Sequence, residues 1–180
     1  EKRAAAAFDP AVHEAAAIVT FLTPGLRFFH EGQFEGRRVR VSMHLGRPPD
    51  EPVDMRLNGF YTRLLECLRN RNELSDGAWR LAECRPAWAG NATSDQFIAF
   101  TWSESDADRL LVAVNYGPDQ GQCYVAADLG DIAGRSVELR DLMSGAAYTR
   151  DGDDLQAHGL YLDVPAWGYH VFAVTSADDE

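Results

Sequence analysis

The chain has 180 residues, of which 46% are hydrophobic and 25% charged, and its formal net charge is −11 at pH 7. This length and apolar content suit one domain, or a small domain with an appendage, that buries a sizeable core. The negative charge argues against nucleic acid or an anionic membrane as a partner, and no apolar run is long enough to span a bilayer.

Metals and cofactors are not expected. Cys67, Cys84 and Cys123 are far apart and the five histidines are scattered, so no metal-ligand spacing appears. Small buried thiols are favoured for the cysteines, with a single disulfide as the alternative. The N-terminal sequence EKRAAAAF does not have the pattern of a signal peptide. Because the sequence does not begin with Met, this says little about location, which is left open with the cytoplasm favoured over secretion.

The N-terminal segment predicts a helix, a turn and a buried strand. Asp9 and Pro10 suit an N-cap and a first helical position. The helix is predicted over residues 10–21, with one face formed by Val12, Ala15, Ala16 and Val19. Pro24-Gly25 ends it, and the apolar run 26–29 is typical of a short buried strand.

A glycine-punctuated polar loop follows this strand. In α/β proteins, ligands bind at the C-terminal ends of strands, so the loop is a candidate binding site rather than only an exit loop. An irregular connection, 36–54, comes next and carries Arg37, Arg38 and Arg40. These arginines are interpreted as solvated surface or, alternatively, as contacts to an anionic or sugar ligand.

A second helix is predicted over residues 55–71, with Asp54 as its N-cap. Apolar residues recur at three- and four-residue spacing and define one apolar face: Leu57, Phe60, Tyr61, Leu64, Leu65 and Leu68. The sequence Ser75-Asp76-Gly77 ends the helical part.

From Trp79 onward the pattern becomes that of short strands separated by turns. The candidate strands are 79–84, 97–102, 110–114, 123–125, 137–139, 161–164 and 169–174. Their regular spacing indicates an antiparallel β-sandwich. The chain is therefore predicted to contain two unlike parts, 1–75 and 76–180.

The first part is incomplete by itself. A single strand cannot form a sheet, and the two helices would have apolar faces with little to cover them. Residues 1–75 are therefore interpreted as the last part of a larger α/β domain.

Several segments resemble the alpha-amylase superfamily, glycoside hydrolase family 13. They are PGLRFFHEGQFEG after the first helix, and LLVAVNY, LRDLMSG and LDVPAWGYHVFAV in the β part. The resemblance implies the end of a (β/α)8 barrel followed by the antiparallel sandwich called domain C. The chain departs from the family pattern at Arg27, His30 and Phe34, and the expected acid appears one place later, as Glu35.

The resemblance also implies what each part does. Gln33, Phe34 and Glu35 would contact an alpha-glucan or maltooligosaccharide in an intact parent that includes the N-terminal barrel. No residue matches the three catalytic acids of the family, which would precede this sequence. The chain is thus predicted to be an inactive fragment of a glycoside hydrolase or transglycosylase.

Two alternatives use other residues. A self-sufficient carbohydrate-binding module would use exposed aromatic rings among Trp79, Trp88, Trp102 and Trp167. A calcium loop would use the sequence DGDD at 151–154, although its spacing is not that of an EF-hand and favours a solvated turn.

Overall fold

The computed structural model describes residues 2–41, 47, 49–105 and 109–177. Helices form the first part: α1 Ala4–Ala7, α2 Pro10–Leu22, α3 Met55–Asn70 and α4 Glu73–Asp76. The strands are β1 Ala78–Pro86, β2 Phe97–Ser103, β3 Arg109–Asn115, β4 Gly121–Ala126, β5 Ser136–Asp141, β6 Ala147–Asp151, β7 Leu160–Val164 and β8 Tyr169–Ala177. A 3₁₀ turn, Thr93–Gln96, precedes β2, and α5, Gly152–His158, lies between β6 and β7.

The eight strands form one curled antiparallel sheet in the order β6-β5-β8-β3-β2-β1-β4-β7. Strand β1 joins its two halves, because residues 78–82 pair with β2 and residues 83–86 pair with β4. A sheet that curls in this way packs one half against the other. The predicted architecture, mainly antiparallel β preceded by helices, is confirmed.

The molecule has two apolar cores, one on each face of the central strands. Strand β3 contributes to both, since Leu110 and Val112 face the helices while Leu111 and Ala113 face the inside of the curled sheet. All four side chains are fully buried. Burial on both faces explains why this strand is a continuous apolar run instead of an alternating one.

The two long helices differ in how well their sequence predicts them. Asp54 caps α3 as expected, because its Oδ1 accepts hydrogen bonds from the backbone N–H groups of Arg56 and Leu57, both at 3.1 Å. Asp9 makes no side-chain capping bond to α2. The buried face of α2 is also displaced from the predicted one and is centred on Ile18 and Leu22. The larger side chains of these residues bury more apolar area than Val12 or Ala16 would.

The predicted strand at 26–29 is not present. Residues 26–30 are extended, but they pair with no strand in the described part of the chain. Leu26 is 96% exposed and Phe28 is 68% exposed, whereas Phe29 stacks on Phe21 with 4.1 Å between ring centroids. An extended segment becomes a strand only when a neighbouring strand pairs with its backbone.

Arg27 fixes this extended segment to the helices. Its guanidinium donates to the carbonyl oxygens of Phe21, at 2.7 Å, and Leu74, at 2.8 Å. Arg27 therefore provides two hydrogen bonds to helix-terminal carbonyl groups.

The three cysteines, Cys67, Cys84 and Cys123, are free thiols. Cys84 is only half-buried. Part of the predicted irregular connection, 42–46 and 48, lies outside the described residues. No helix within the described ranges is long and apolar enough to cross a membrane.

Candidate functional site

The loop after the extended segment is a tight turn over residues 31–36. Its backbone bonds run from Gln33 N–H to His30 O, from Gly36 N–H to Gln33 O, and from Arg37 N–H to Gly32 O. Gly32 and Gly36 have φ values of +76° and +67°, in the left-handed region that glycine adopts without strain. The turn places the Gln33 side chain against helix α3.

A chain of three polar side chains connects this turn to both long helices. Gln33 Oε1 accepts a hydrogen bond from His30 N–H at 3.0 Å, so its Nε2 is the atom that donates to Tyr61 Oη, at 2.8 Å. Tyr61 Oη then lies 2.9 Å from His13 Nε2. Because Tyr61 Oη accepts from Gln33, its own proton is available for a hydrogen bond to His13 Nε2. Neutral His13 then carries its ring proton on Nδ1.

Burial sets the protonation states of His13 and Tyr61. Desolvation lowers the pKa of His13, although the carboxylates of Glu14 and Asp54 act in the opposite direction. Desolvation also raises the pKa of Tyr61, against the hydrogen bond from Gln33. Both groups are therefore neutral at pH 7.

A cavity of about 340 Å³ lies beside this chain of side chains. It is lined by Lys2, Arg3, Ala4, Ala5, His13, His30, Gln33, Arg37, Arg40 and Val41. Arg3 closes one side, since its Nε donates to Val39 O at 2.7 Å and another of its nitrogens donates to the Glu31 carbonyl. The cavity is thus built from α1, α2 and the turn.

The three predicted site residues, Gln33, Phe34 and Glu35, have different surroundings in the structure. Gln33 lines the cavity. Phe34 instead packs its ring against Phe29 and Tyr61, at centroid distances of 5.1 and 5.4 Å, and joins the helix-side core. Glu35 is half-buried, and its carbonyl oxygen accepts a hydrogen bond from Asp54 N–H at 2.9 Å.

Sequence reasoning missed His13, Tyr61 and Arg3. His13 and Tyr61 are 48 positions apart, so no motif connects them. The one sequence feature that could have indicated the site is His13, a histidine among the buried residues of α2. Such a histidine is more often a core residue than a site residue.

The residues of the two alternatives are dispersed. Trp102 is buried and donates its Nε1–H to Leu22 O at 2.7 Å, while Trp79 and Trp88 are 37% and 55% exposed. No ring contact between Trp79 and Trp88 is recorded in the described part of the chain, where Trp79 lies 6.0 Å from Phe100. Trp167 is half-buried and its ring lies 5.1 Å from that of Tyr116.

The DGDD sequence forms the start of helix α5. Asp151 Oδ1 accepts a hydrogen bond from Asp154 N–H at 2.8 Å, and Asp153 Oδ1 accepts one from Gly134 N–H at 2.9 Å. In the described ranges, no three His, Cys, Asp or Glu side chains lie together as a metal site would need.

The fold and the cavity together define a β-sandwich domain that is covered on one face by helices and carries a basic cavity at their end. Solved structures that share this fold include alpha-amylases and a debranching enzyme. The maltogenic alpha-amylase of Thermotoga neapolitana superposes on 98% of this chain with a TM-score of 0.68 at 11% identity, using 39% of its own length.

Two further solved structures share this fold with the chain. An Anoxybacillus alpha-amylase matches 96% of this chain with a TM-score of 0.68 at 15% identity, and the alpha-amylase of Geobacillus thermoleovorans matches 92% with a TM-score of 0.66 at 14% identity. Each match uses 34% of the enzyme's length. The chain therefore shares its fold with about a third to two fifths of these glycoside hydrolases. No protein-family model and no curated protein sequence matches it.

Proposed function

We propose that this chain is the C-terminal part of a glycoside hydrolase or transglycosylase that acts on alpha-glucans. It comprises the end of the catalytic barrel and domain C, and it lacks the catalytic carboxylates. The observation that carries the proposal is the unequal coverage, because nearly the whole chain superposes on only 34–39% of three alpha-amylases.

The exposed segment 26–30 supports a missing barrel. Leu26 and Phe28 are 96% and 68% exposed, and they alternate with the half-buried Arg27 and Phe29. Parallel barrel strands are covered by neighbours on both edges and both faces. An apolar extended segment without a paired strand in the described structure is what such a strand becomes when its neighbours are removed.

The cavity lining supports the absence of catalysis by this chain alone. Glycoside hydrolysis requires two carboxyl groups on either side of the scissile bond. No Asp or Glu is among the described residues that line the cavity. The nearby Glu31 pairs with Arg3 at 3.3 Å and points its charge to that guanidinium.

In the parent, the turn carrying Gln33 would border the substrate cleft, since barrel enzymes bind substrate at the loops that follow their strands. The amide of Gln33 can donate to and accept from sugar hydroxyl groups. Phe34 and Glu35 would hold the turn in place through the core and through Asp54, so Gln33 is the residue expected to contact the sugar.

Two variants of the full-length parent test this assignment. Gln33→Ala is expected to lower kcat/KM on maltooligosaccharides roughly tenfold to a hundredfold, which corresponds to about 1–3 kcal/mol for a lost contact. Tyr61→Phe is the matched control, because it removes the hydroxyl that Gln33 contacts but keeps the amide. If both variants lose the same activity and the same thermal stability, Gln33 is a structural residue and the assignment is wrong.

A further inference from the structure

The charge of the cavity is opposite to that of the chain. The chain has a net charge of −11. Six of the residues that line the cavity carry basic or imidazole side chains: Lys2, Arg3, His13, His30, Arg37 and Arg40. Four of them carry a formal positive charge, Lys2, Arg3, Arg37 and Arg40, and cationic side chains around one concave site create a local positive potential there.

Two buried donors at this cavity have no partner in the described structure. They are His13 Nδ1 and Arg37 Nε. His13 is only 3% exposed, and its Nε2 is already held by Tyr61. Buried polar atoms are nearly always hydrogen-bonded, and each donor left unpaired costs about 1–3 kcal/mol. Both unpaired donors belong to residues that line the cavity.

Carboxylates neutralise these cations only in part. Glu31 pairs with Arg3 at 3.3 Å and approaches Arg37 at 3.9 Å, but its side chain is 69% exposed. Water screens an exposed carboxylate strongly. Glu14 and Asp54 also act on His13, and Glu14 is itself paired with Arg56 at 2.9 Å.

We propose that this cavity binds a phosphate group, either as free phosphate or as part of a phosphorylated sugar. Arginine and neutral histidine Nδ1–H are donors, and phosphate offers several acceptor oxygens that arginine contacts in pairs. The cavity volume of about 340 Å³ is at the lower end of the range for small-molecule pockets. The site goes beyond the proposed function, which concerns neutral glucans.

Binding of three probes to the 180-residue chain tests the proposal. Isothermal titration at low ionic strength is expected to give saturable binding of inorganic phosphate, with Kd of about 1 mM or tighter, and none of glucose. Glucose 6-phosphate distinguishes the two sources: tighter binding than phosphate indicates a phosphorylated sugar, and equal binding indicates phosphate alone. Added sodium chloride should weaken both, because salt screens the attraction.

Variants locate the site. Arg37→Gln is expected to weaken phosphate binding at least tenfold, while Arg69→Gln, at an exposed arginine of α3 outside the cavity, leaves it unchanged. His13→Asn should weaken binding as well. Since His13 is a core residue, a ¹⁵N spectrum of the unmodified protein is a second readout, and phosphate should shift its Nδ1 resonance.

Three results would overturn the proposal. They are the absence of saturable phosphate binding, equal loss in Arg37→Gln and Arg69→Gln, and binding of glucose without phosphate. The last result would leave the proposed function intact, because a neutral sugar would then occupy the cavity.

Discussion

At the scale of single residues, Asp141 is the most connected carboxylate of the β part. It is 2% exposed and accepts hydrogen bonds from Met143 N–H at 3.0 Å, Ser144 Oγ–H at 2.9 Å and His170 Nδ1 at 3.0 Å. Burial alone would raise its pKa, but these hydrogen bonds outweigh burial and lower it. Asp141 thus joins the β5–β6 turn to strand β8.

Replacing this carboxylate is expected to be costly. Asp141→Ala should lower the free energy of unfolding by about 3 kcal/mol, because it leaves buried donors unpaired. Urea denaturation would measure the change, with Glu66→Ala on the exposed side of α3 as the control. A loss in Asp141→Ala no greater than in the control would contradict this role.

His13 predicts a pH dependence of stability. Its pKa in the folded protein is lowered from 6.5 by burial, so the unfolded chain binds a proton more readily. The contribution of neutral His13 is complete above about pH 6.5 and is lost as the pH falls below that value.

Urea denaturation between pH 7.5 and 5.5 in phosphate-free buffer checks this expectation. His13→Gln should remove the part of the pH slope that belongs to this residue, at most about 1.4 kcal/mol per pH unit. An unchanged slope in His13→Gln, with the same change at exposed His30 as a control, would show that another group causes the dependence.

At the scale of elements, the sequence predicts the helices and strands whose apolar residues face a core. Strands β3 and β8 and helix α3 were predicted for that reason. Strand β6 was missed because all five of its residues are exposed, so it has no apolar alternation and depends on pairing with β5. The strand at 26–29 was predicted wrongly because its apolar run indicates burial but cannot supply the neighbouring strands.

The contact between Trp102 and Leu22 joins β2 to the end of α2. Trp102→Phe should lower the free energy of unfolding by about 1–3 kcal/mol, because Leu22 O loses its buried donor. Trp88→Phe is the matched control, since Trp88 is 55% exposed, and should change stability by no more than about 0.5 kcal/mol. Equal effects in chemical denaturation would mean that this hydrogen bond contributes nothing.

At the scale of the whole molecule, the two predicted parts share a core. The helix-side core contains Ile18 and Leu64 from the helices and Phe100 and Val112 from the sheet. The second core contains no residue of the first part: it is formed by the strands together with Leu155 of α5 and with Leu129 and Ile132 of the β4–β5 connection. The boundary near Asp76 remains a prediction. Residues 76–180 supply one complete core, whereas residues 1–75 contribute only to the core that they share with the sheet.

A chain of residues 77–180 tests that boundary. It is expected to fold cooperatively around the second core, with a lower unfolding midpoint than the full chain, because the helix-side face of β2 and β3 becomes exposed. Circular dichroism with thermal denaturation would measure both properties. A sheet spectrum without a cooperative transition would show that the helices are required for folding.

The candidate site was predictable only in part. The loop that carries Gln33 was found from its glycines and its position after an apolar run. The contributions of His13, Tyr61 and Arg3 were not, because they come from three different elements and meet only in the folded chain. Their cavity depends on which face of α2 is buried, and of the four residues predicted for that face only Ala15 is buried, while Val12, Ala16 and Val19 are half-buried.

We propose that this chain belongs to a glycosidase but lacks its catalytic acids. Hydrolysis of a nitrophenyl maltooligosaccharide, measured in parallel on the full-length parent and on the 180-residue chain, tests it most directly. The account predicts turnover by the parent and, for the chain, no release above a protein-free control. Turnover by the chain that persists through repurification, or a parent without activity on alpha-glucans, would contradict it.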